Sequence, residues 1–171
     1  MIVNGFFRGV LGAAALVFAP MSPTMANDIR YSDDATLACL AGQSGAAAMA
    51  CAGRAARACT EATPAGSTTI GIAQCTEAEL KFWDTRLNAA YRKLVKRAKA
   101  RDADLGGPPE GPIFLALRDM QRAWITFRDN SCEYERVHYH GGTIAGLVWV
   151  NCTMTITARQ ALNLEADVAG Q

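Results

Sequence analysis

The sequence contains six cysteines and two histidines, and their spacing limits the chemistry open to them. Four of these residues could form a two-cysteine, two-histidine zinc site: Cys132, His138, His140 and Cys152. The interval from Cys132 to His138 is too wide for a zinc ligand knuckle. The chain has no Cys-x-x-Cys motif, which argues against a thiol–disulfide exchange site. We therefore expect neither a metal nor a cofactor, and we interpret both histidines as exposed residues at a helix end.

Carboxylates that hydrolyse a glycoside must face each other across a cleft. Thr76 and Glu79 have the spacing of a helix capping box, so we expect Glu77 and Glu79 to serve in capping or to lie exposed. Glu133 and Glu135 are two residues apart and diverge on a helix. The sequence also lacks a nucleophile turn, a phosphate loop and a dinucleotide fingerprint. We predict that the protein is not an enzyme.

The charge balance argues against a nucleic-acid partner. The chain has 17 basic and 16 acidic residues, and Arg8 is the only charged residue among the first 26, so the remainder is neutral. A dedicated nucleic-acid binder normally carries a strong positive excess. Six of the ten residues from Arg92 to Arg101 are basic, which could form a patch for an anionic partner. We prefer the interpretation that they offset the dipole at a helix C-terminus.

Residues 1–26 have the layout of a secretory signal peptide. Arg8 precedes an apolar run from Val10 to Ala19, and Thr24-Met25-Ala26 supplies small residues at a cleavage site. The run is about ten residues long, whereas a membrane span needs about twenty. We expect cleavage near Ala26 and a periplasmic or secreted protein with no transmembrane segment. Six cysteines in an exported chain imply disulfides, but fifteen pairings are possible and the spacing does not choose among them.

Apolar periodicity predicts an all-α fold. Two short N-terminal helices should form a hairpin within residues 27–62, the second spanning about 45–61. Two long antiparallel helices, 77–101 and 112–140, should then pack with a third, 143–166. Residues 68–75 are ambiguous and could already belong to the first of these helices. Apolar stripes mark both long helices, and we expect both stripes to face the core: Leu80, Trp83, Leu87, Tyr91, Leu94 and Ala98 in the first, and Ile113, Leu117, Met120, Trp124, Phe127 and Tyr134 in the second. Trp149 lies off the stripe of the last helix but is also a candidate core residue.

Residues 75–162 resemble the lysozyme inhibitor LprI family of secreted bacterial domains. The resemblance rests on Cys75 at a helix start, on Trp124-x-x-Phe127-Arg128-Asp129-x-x-Cys132, on the Gly141-Gly142 break, and on Cys152 and Arg159. Cys59 also resembles the upstream cysteine of the family. We therefore assign residues 63–171 to an LprI-like helical domain and residues 27–62 to an added hairpin.

The resemblance implies an α-helical, disulfide-linked domain with the pairs Cys132–Cys152, Cys59–Cys75 and Cys39–Cys51. Another pairing, such as Cys39–Cys59, stays open from the residues alone. We assign structural roles to Trp124, Arg128, Asp129, Gly141, Gly142 and Arg159. In particular, we expect Asp129 to pair with Arg159 or Arg128 and so to fix the last helix.

The resemblance also implies binding to lysozyme and blocking of its cleft. Two exposed segments are candidates for insertion: loop 103–112 and the turn from His138 to Gly142. The neutral charge is a weakness of this hypothesis, because common lysozymes are basic. A fold carries over more safely than a function, so a non-enzymatic envelope protein that binds another partner is the alternative.

Overall fold

The computed structural model describes residues 28–43 and 45–170, and the predicted signal peptide lies outside these residues. The chain forms helix α1 (Asp34–Ala41), a 3-10 helix (Gly45–Cys51), α2 (Arg54–Ala62), α3 (Thr69–Asp104), α4 (Pro112–Val137) and α5 (Thr143–Gly170). No strand occurs among these residues. The all-α prediction is therefore confirmed. The second predicted helix is in fact two elements, the 3-10 helix and α2.

Helix α3 begins at Thr69, eight residues before the predicted start at 77 and within the segment 68–75 that the sequence left ambiguous. Thr68 is its N-cap, and its hydroxyl accepts a hydrogen bond from the backbone N–H of Gly71 at 3.1 Å. Thr76 lies inside the helix, where its hydroxyl donates to the carbonyl of Ile72 at 2.8 Å. The predicted capping box at Thr76 and Glu79 is therefore wrong. A threonine can bond to the preceding turn as readily as it can cap a helix.

The core lies mainly between α3 and α5. Four buried residues from each helix form it: Trp83, Leu87, Ala90, Leu94, Met154, Ala158, Ala161 and Leu164. Alanines at three of these positions let the two helix backbones approach closely. The sequence predicts that α3 and α4 pack with α5, and among the described residues the contact between α3 and α5 is the most extensive.

Helix α4 buries few of its apolar residues, which contradicts the prediction for its stripe. Gln121 and Cys132 are its buried residues, whereas Leu117 and Trp124 are half-buried. Four stripe residues are 38 to 68% exposed: Ile113, Met120, Phe127 and Tyr134. The periodicity identified an apolar face correctly, but it could not show that much of this face stays exposed. Trp149 is also 38% exposed, so its predicted place in the core is wrong.

Three disulfides hold the helices together, and they join the pairs that the family resemblance implies. Cys39 bonds to Cys51, Cys59 to Cys75, and Cys132 to Cys152. The first closes the N-terminal segment, the second joins α2 to α3, and the third joins α4 to α5. Because Cys132 and Cys152 are bonded to each other, they cannot serve as zinc ligands.

Candidate binding surface at the turn between helices α4 and α5

The turn that links α4 to α5 is compact and ordered by its own backbone. The N–H of Tyr139 donates to Arg136 O at 3.2 Å, that of His140 to Val137 O at 3.2 Å, and that of Gly142 to Tyr139 O at 3.0 Å. His140 and Gly141 both have left-handed backbone angles, with φ of 48° and 76°. Two successive residues of this kind reverse the chain direction, and glycine adopts the conformation without strain. The Gly141-Gly142 break thus produces a tight turn whose residues are exposed.

A disulfide braces this turn on both sides. Cys132 lies in the last two turns of α4 and Cys152 lies in α5, with their Cα atoms 5.5 Å apart. Both cysteines are buried. The ring of Tyr134 meets that of His138 edge to face, with centroids 4.8 Å apart. The disulfide limits how far the two helix ends can separate, so the turn between them is held in position.

The turn presents polar and aromatic groups to solvent. His138, Tyr139 and His140 are all exposed, and Tyr139 keeps 46% of its surface. Imidazole and phenol groups can donate hydrogen bonds to carboxylates. Tyrosine is also among the residues that contribute most to binding at protein interfaces. The turn therefore offers three exposed side chains that can form hydrogen bonds.

The last turns of α4 carry acidic residues beside this turn. Asp129, Glu133 and Glu135 are exposed there. Arg136 lies 2.6 Å from Glu133, and its hydrogen bonds and charge lower the pKa of that carboxyl. Arg128 pairs with Asp129 in the same way, so the three carboxylates exceed the two arginines by one, and Glu135 supplies the local negative charge.

The basic segment from Arg92 to Arg101, called here the basic decade, lies toward the opposite end of the molecule. Arg92, Lys93 and Lys96 are exposed on the C-terminal half of α3. That half of α3 lies beside the start of α4, as the pair between Lys99 and Glu110 at 2.8 Å shows. Helix α4 has 26 residues, which at about 1.5 Å a residue separates its start from the 138–142 turn by roughly 39 Å. The neutral total therefore conceals a basic end and an acidic end.

The loop between α3 and α4 is tied down more firmly than its Gly and Pro content suggests. Buried Asp102 accepts hydrogen bonds from the N–H groups of Ile113 and Phe114 at 3.1 and 2.9 Å, and so caps α4 from the end of α3. A Cβ at position 111 would lie 2.7 Å from Cγ of Asp102, which explains the glycine there. Since Glu110 is also paired with Lys99, this loop suits insertion less well than the turn does.

The predicted link from Asp129 to the last helix is not present. Asp129 pairs with its neighbour Arg128 at 2.8 Å, and the Arg128 guanidinium lies 5.1 Å from the ring centre of Trp124. Arg159 instead lines an open groove with residues of the N-terminal segment. Gln160 of α5 joins α4 in this region, because its side-chain amide donates to Gln121 Oε1 at 3.2 Å and to Met120 Sδ at 3.7 Å. One of the two predicted partners of Asp129 is therefore correct, but not its role.

One buried carboxylate, Glu79, is not predicted from the sequence. Glu79 is fully buried and accepts hydrogen bonds from Thr36 Oγ1, the N–H groups of Gly53 and Ala56, and the indole of Trp83, at 2.7 to 3.0 Å. All four donors belong to the protein's own core, so Glu79 is structural. Within residues 28–43 and 45–170, no cluster of three or more His, Cys, Asp and Glu residues could hold a metal ion. The one sequence signal for Glu79 was its position one turn before Trp83.

Comparison with known proteins decides the family. The model of the lysozyme inhibitor LprI family matches residues 59–164, which is more than half of the chain. The chain belongs to this family. The matched region starts in α2 and includes α3, α4, the 138–142 turn and most of α5.

Two relatives of this LprI-family chain carry no assigned activity. An uncharacterized protein of Rhizobium meliloti (strain 1021) is 29% identical over 93 residues, which is 53% of this chain and 67% of the relative. An uncharacterized 17.7 kDa protein from the puhA 5′ region of Rhodobacter capsulatus is 28% identical over 133 residues, 72% of this chain and 77% of the relative. No solved structure matches the chain. In the described part of the chain, every helix is too short or too polar to span a bilayer.

Proposed function

We propose that this protein is exported and inhibits a lysozyme by inserting the 138–142 turn into the cleft of the enzyme. The family match over residues 59–164 carries the proposal. Three disulfides support export, because disulfides persist in oxidising compartments outside the cytoplasm. A cleft enzyme can be blocked without chemistry if a rigid protrusion fills the cleft and satisfies its polar groups.

The shape and chemistry of the turn fit that task. A glycosidase cleft contains a pair of carboxylates that flank the bond to be cut. His138, Tyr139 and His140 are exposed donors on a braced turn, and donors of this kind can bond to those carboxylates. A turn that is already ordered loses little conformational entropy on binding, which favours affinity.

The charge distribution favours this end of the molecule for contact with a basic enzyme. Glu133 and Glu135 lie beside the turn, whereas the basic decade lies at the far end of α3. Complementary charge speeds encounter and orients the partners. The neutral total is therefore no obstacle, since the local surface has the required sign.

A turbidity assay tests the proposal directly. The purified protein should slow the clearing of bacterial cell walls by at least one basic lysozyme in a panel of several types. Tyr139→Ala should raise the inhibition constant at least about tenfold, which is the effect of removing an interface anchor worth roughly 1.4 kcal/mol. The thermal midpoint should stay unchanged, because Tyr139 is exposed.

Leu105→Ala is the matched control, since Leu105 is an exposed apolar residue at the opposite end of α4. That variant should inhibit as well as the natural protein. Absence of inhibition at a large molar excess against every lysozyme type would reject the proposal and leave an envelope protein with another partner. Inhibition that survives both Tyr139→Ala and a His138→Ala/His140→Ala double variant would reject the turn as the contact surface.

A further inference from the structure

Helix α4 carries a row of exposed apolar residues at a constant spacing. Ile113, Met120, Phe127 and Tyr134 follow one another at intervals of seven residues and are 38, 41, 61 and 68% exposed. Ala116 and Ala123 lie between them, three residues after Ile113 and Met120, and are also exposed. Asn130 and Val137 continue this second row, and both are exposed. We call these two rows the α4 seam.

The seam has the pattern of a helix that packs on another helix. Apolar residues that recur at alternating steps of three and four form the contact line of a left-handed coiled coil. A continuous apolar strip on the surface of a folded domain marks an interaction site. The buried residues Gln121 and Cys132 belong to a different face of α4, which packs on the rest of the domain. The seam is therefore a second contact face. Within the described residues, its one side-chain hydrogen bond to another helix is the one that Met120 Sδ accepts from Gln160 at 3.7 Å.

We propose that the seam binds the same seam of a second copy of this chain, with the two α4 helices antiparallel about a twofold axis. Centred on the middle of the helix, this arrangement places Ala123 opposite Phe127 of the second copy and Ala116 opposite Tyr134 of the second copy. Each of these layers combines one small and one large side chain, which fills space without a clash. Ile113 then lies opposite Val137 of the second copy, and Met120 opposite Asn130.

Charge along α4 also favours the antiparallel orientation. From Arg118 to Arg128 the helix carries three arginines and one aspartate. From Asp129 to Arg136 it carries three carboxylates and one arginine. In this antiparallel register, Asp129 and Glu133 lie within one residue of the positions opposite Arg122 and Arg118 of the second copy, although Arg122 itself lies opposite Arg128. A parallel pair in register would place every charge beside the same charge of the other copy. The basic decade of α3 adds to this effect, because it lies beside the start of α4.

The exposed area predicts a weak dimer. If a whole aromatic side chain offers about 200 Å², Phe127 and Tyr134 together expose roughly 250 Å² in each copy. With the smaller seam residues, the two copies would bury on the order of 1,000 Å² in total, the lower bound for a specific interface. We therefore expect association that depends on protein concentration in the micromolar range. The two 138–142 turns would lie at opposite ends of the pair.

Light scattering coupled to size-exclusion chromatography tests the dimer. The purified protein should have the mass of two copies at high concentration and of one copy after dilution. Phe127→Asp should give a single copy at every concentration and keep its thermal midpoint, since Phe127 is exposed. Ile70→Asp is the matched control, because Ile70 is 65% exposed in the first turn of α3 and lies off the seam. That variant should remain a dimer.

A pair of compensating substitutions tests the layer in which Ala123 lies opposite Phe127 of the second copy. Ala123→Phe alone places two phenylalanines opposite each other and should weaken the dimer at least about tenfold. Combining it with Phe127→Ala exchanges the small and large partners and should restore the mass of two copies. A single-copy mass for the natural protein at all concentrations overturns the proposal, as does a dimer that survives Phe127→Asp.

The lysozyme turbidity assay separates the dimer proposal from the proposed inhibitory function. Phe127→Asp should inhibit lysozyme as the natural protein does, because the turn is unchanged. If the natural protein is a single copy and Phe127→Asp abolishes inhibition, the seam binds the enzyme and the second copy is wrong. A dimer without lysozyme inhibition would instead support the seam proposal and reject the proposed function alone.

Discussion

The indole nitrogen of Trp83 donates a hydrogen bond of 3.0 Å to Oε1 of Glu79, and neither side chain is exposed to solvent. Trp83 belongs to the core between α3 and α5, whereas Glu79 also bonds to Thr36 of α1 and to the start of α2. One carboxylate therefore joins the N-terminal segment to the main core. Because four donors converge on this one buried carboxylate, it is difficult to replace.

Glu79→Gln should destabilise the protein strongly. The amide removes the charge and presents an NH₂ donor where N–H and O–H donors already converge, so at least one buried donor loses its acceptor. We expect a loss on the order of 3 kcal/mol in the free energy of unfolding, measured by denaturant titration with the disulfides intact. Glu77→Gln is the control, because the Glu77–Lys81 pair is exposed and should contribute less than about 0.5 kcal/mol. Equal stability of the two variants would contradict the assigned role of Glu79.

Asp102→Ala should weaken the start of α4. Asp102 caps that helix by accepting from Ile113 and Phe114, and loss of such a cap costs about 1 to 2 kcal/mol. Asp104→Ala, two residues away and exposed, should change stability by less than about 0.5 kcal/mol. Thermal unfolding followed by circular dichroism measures both. A larger effect for Asp104→Ala than for Asp102→Ala would contradict the capping role.

Asp129→Asn should leave stability nearly unchanged. Its partner Arg128 is adjacent in sequence and half-buried over Trp124, and Asp129 itself is half exposed. An exposed pair of this kind contributes less than about 1 kcal/mol. Arg159→Gln should be equally mild, and the two changes should be additive because the residues do not contact each other. A measurable coupling energy in the double variant would restore the pairing that the sequence suggested.

The Lys99–Glu110 pair should make a small contribution that depends on pH. The hydrogen bond and charge of Lys99 lower the pKa of the exposed Glu110 carboxyl below its usual value of 4.5. A carboxyl with a lowered folded-state pKa adds stability above its unfolded pKa, and this stability disappears as the pH falls through the folded pKa. Glu110→Gln should therefore have a lower thermal midpoint than the natural protein near neutral pH and the same midpoint in strong acid. A difference that persists in acid would contradict the electrostatic origin.

Sequence patterns predicted the helical class and most helix positions, because apolar periodicity and glycine or proline stops act over a few residues. The start of α3 was misjudged for the same reason, since Thr68 and Thr76 are both plausible caps locally. The Gly141-Gly142 break predicted the turn at its correct place. The sequence did not predict that the turn with His138, Tyr139 and His140 is held in place. Only the tertiary structure shows this, because the Cys132–Cys152 bond joins the two helices on either side of the turn.

The sequence alone determined that α4 has an apolar face, because a spacing of seven residues places side chains on one side of any helix. Only the tertiary structure decided that this face looks outward, since burial depends on which helices come together, and α5 covers α3 more fully than α4 does. The same distinction applies to Glu79. Its position before Trp83 is written in the sequence, but its four donors come from three separate elements and meet only when those elements pack.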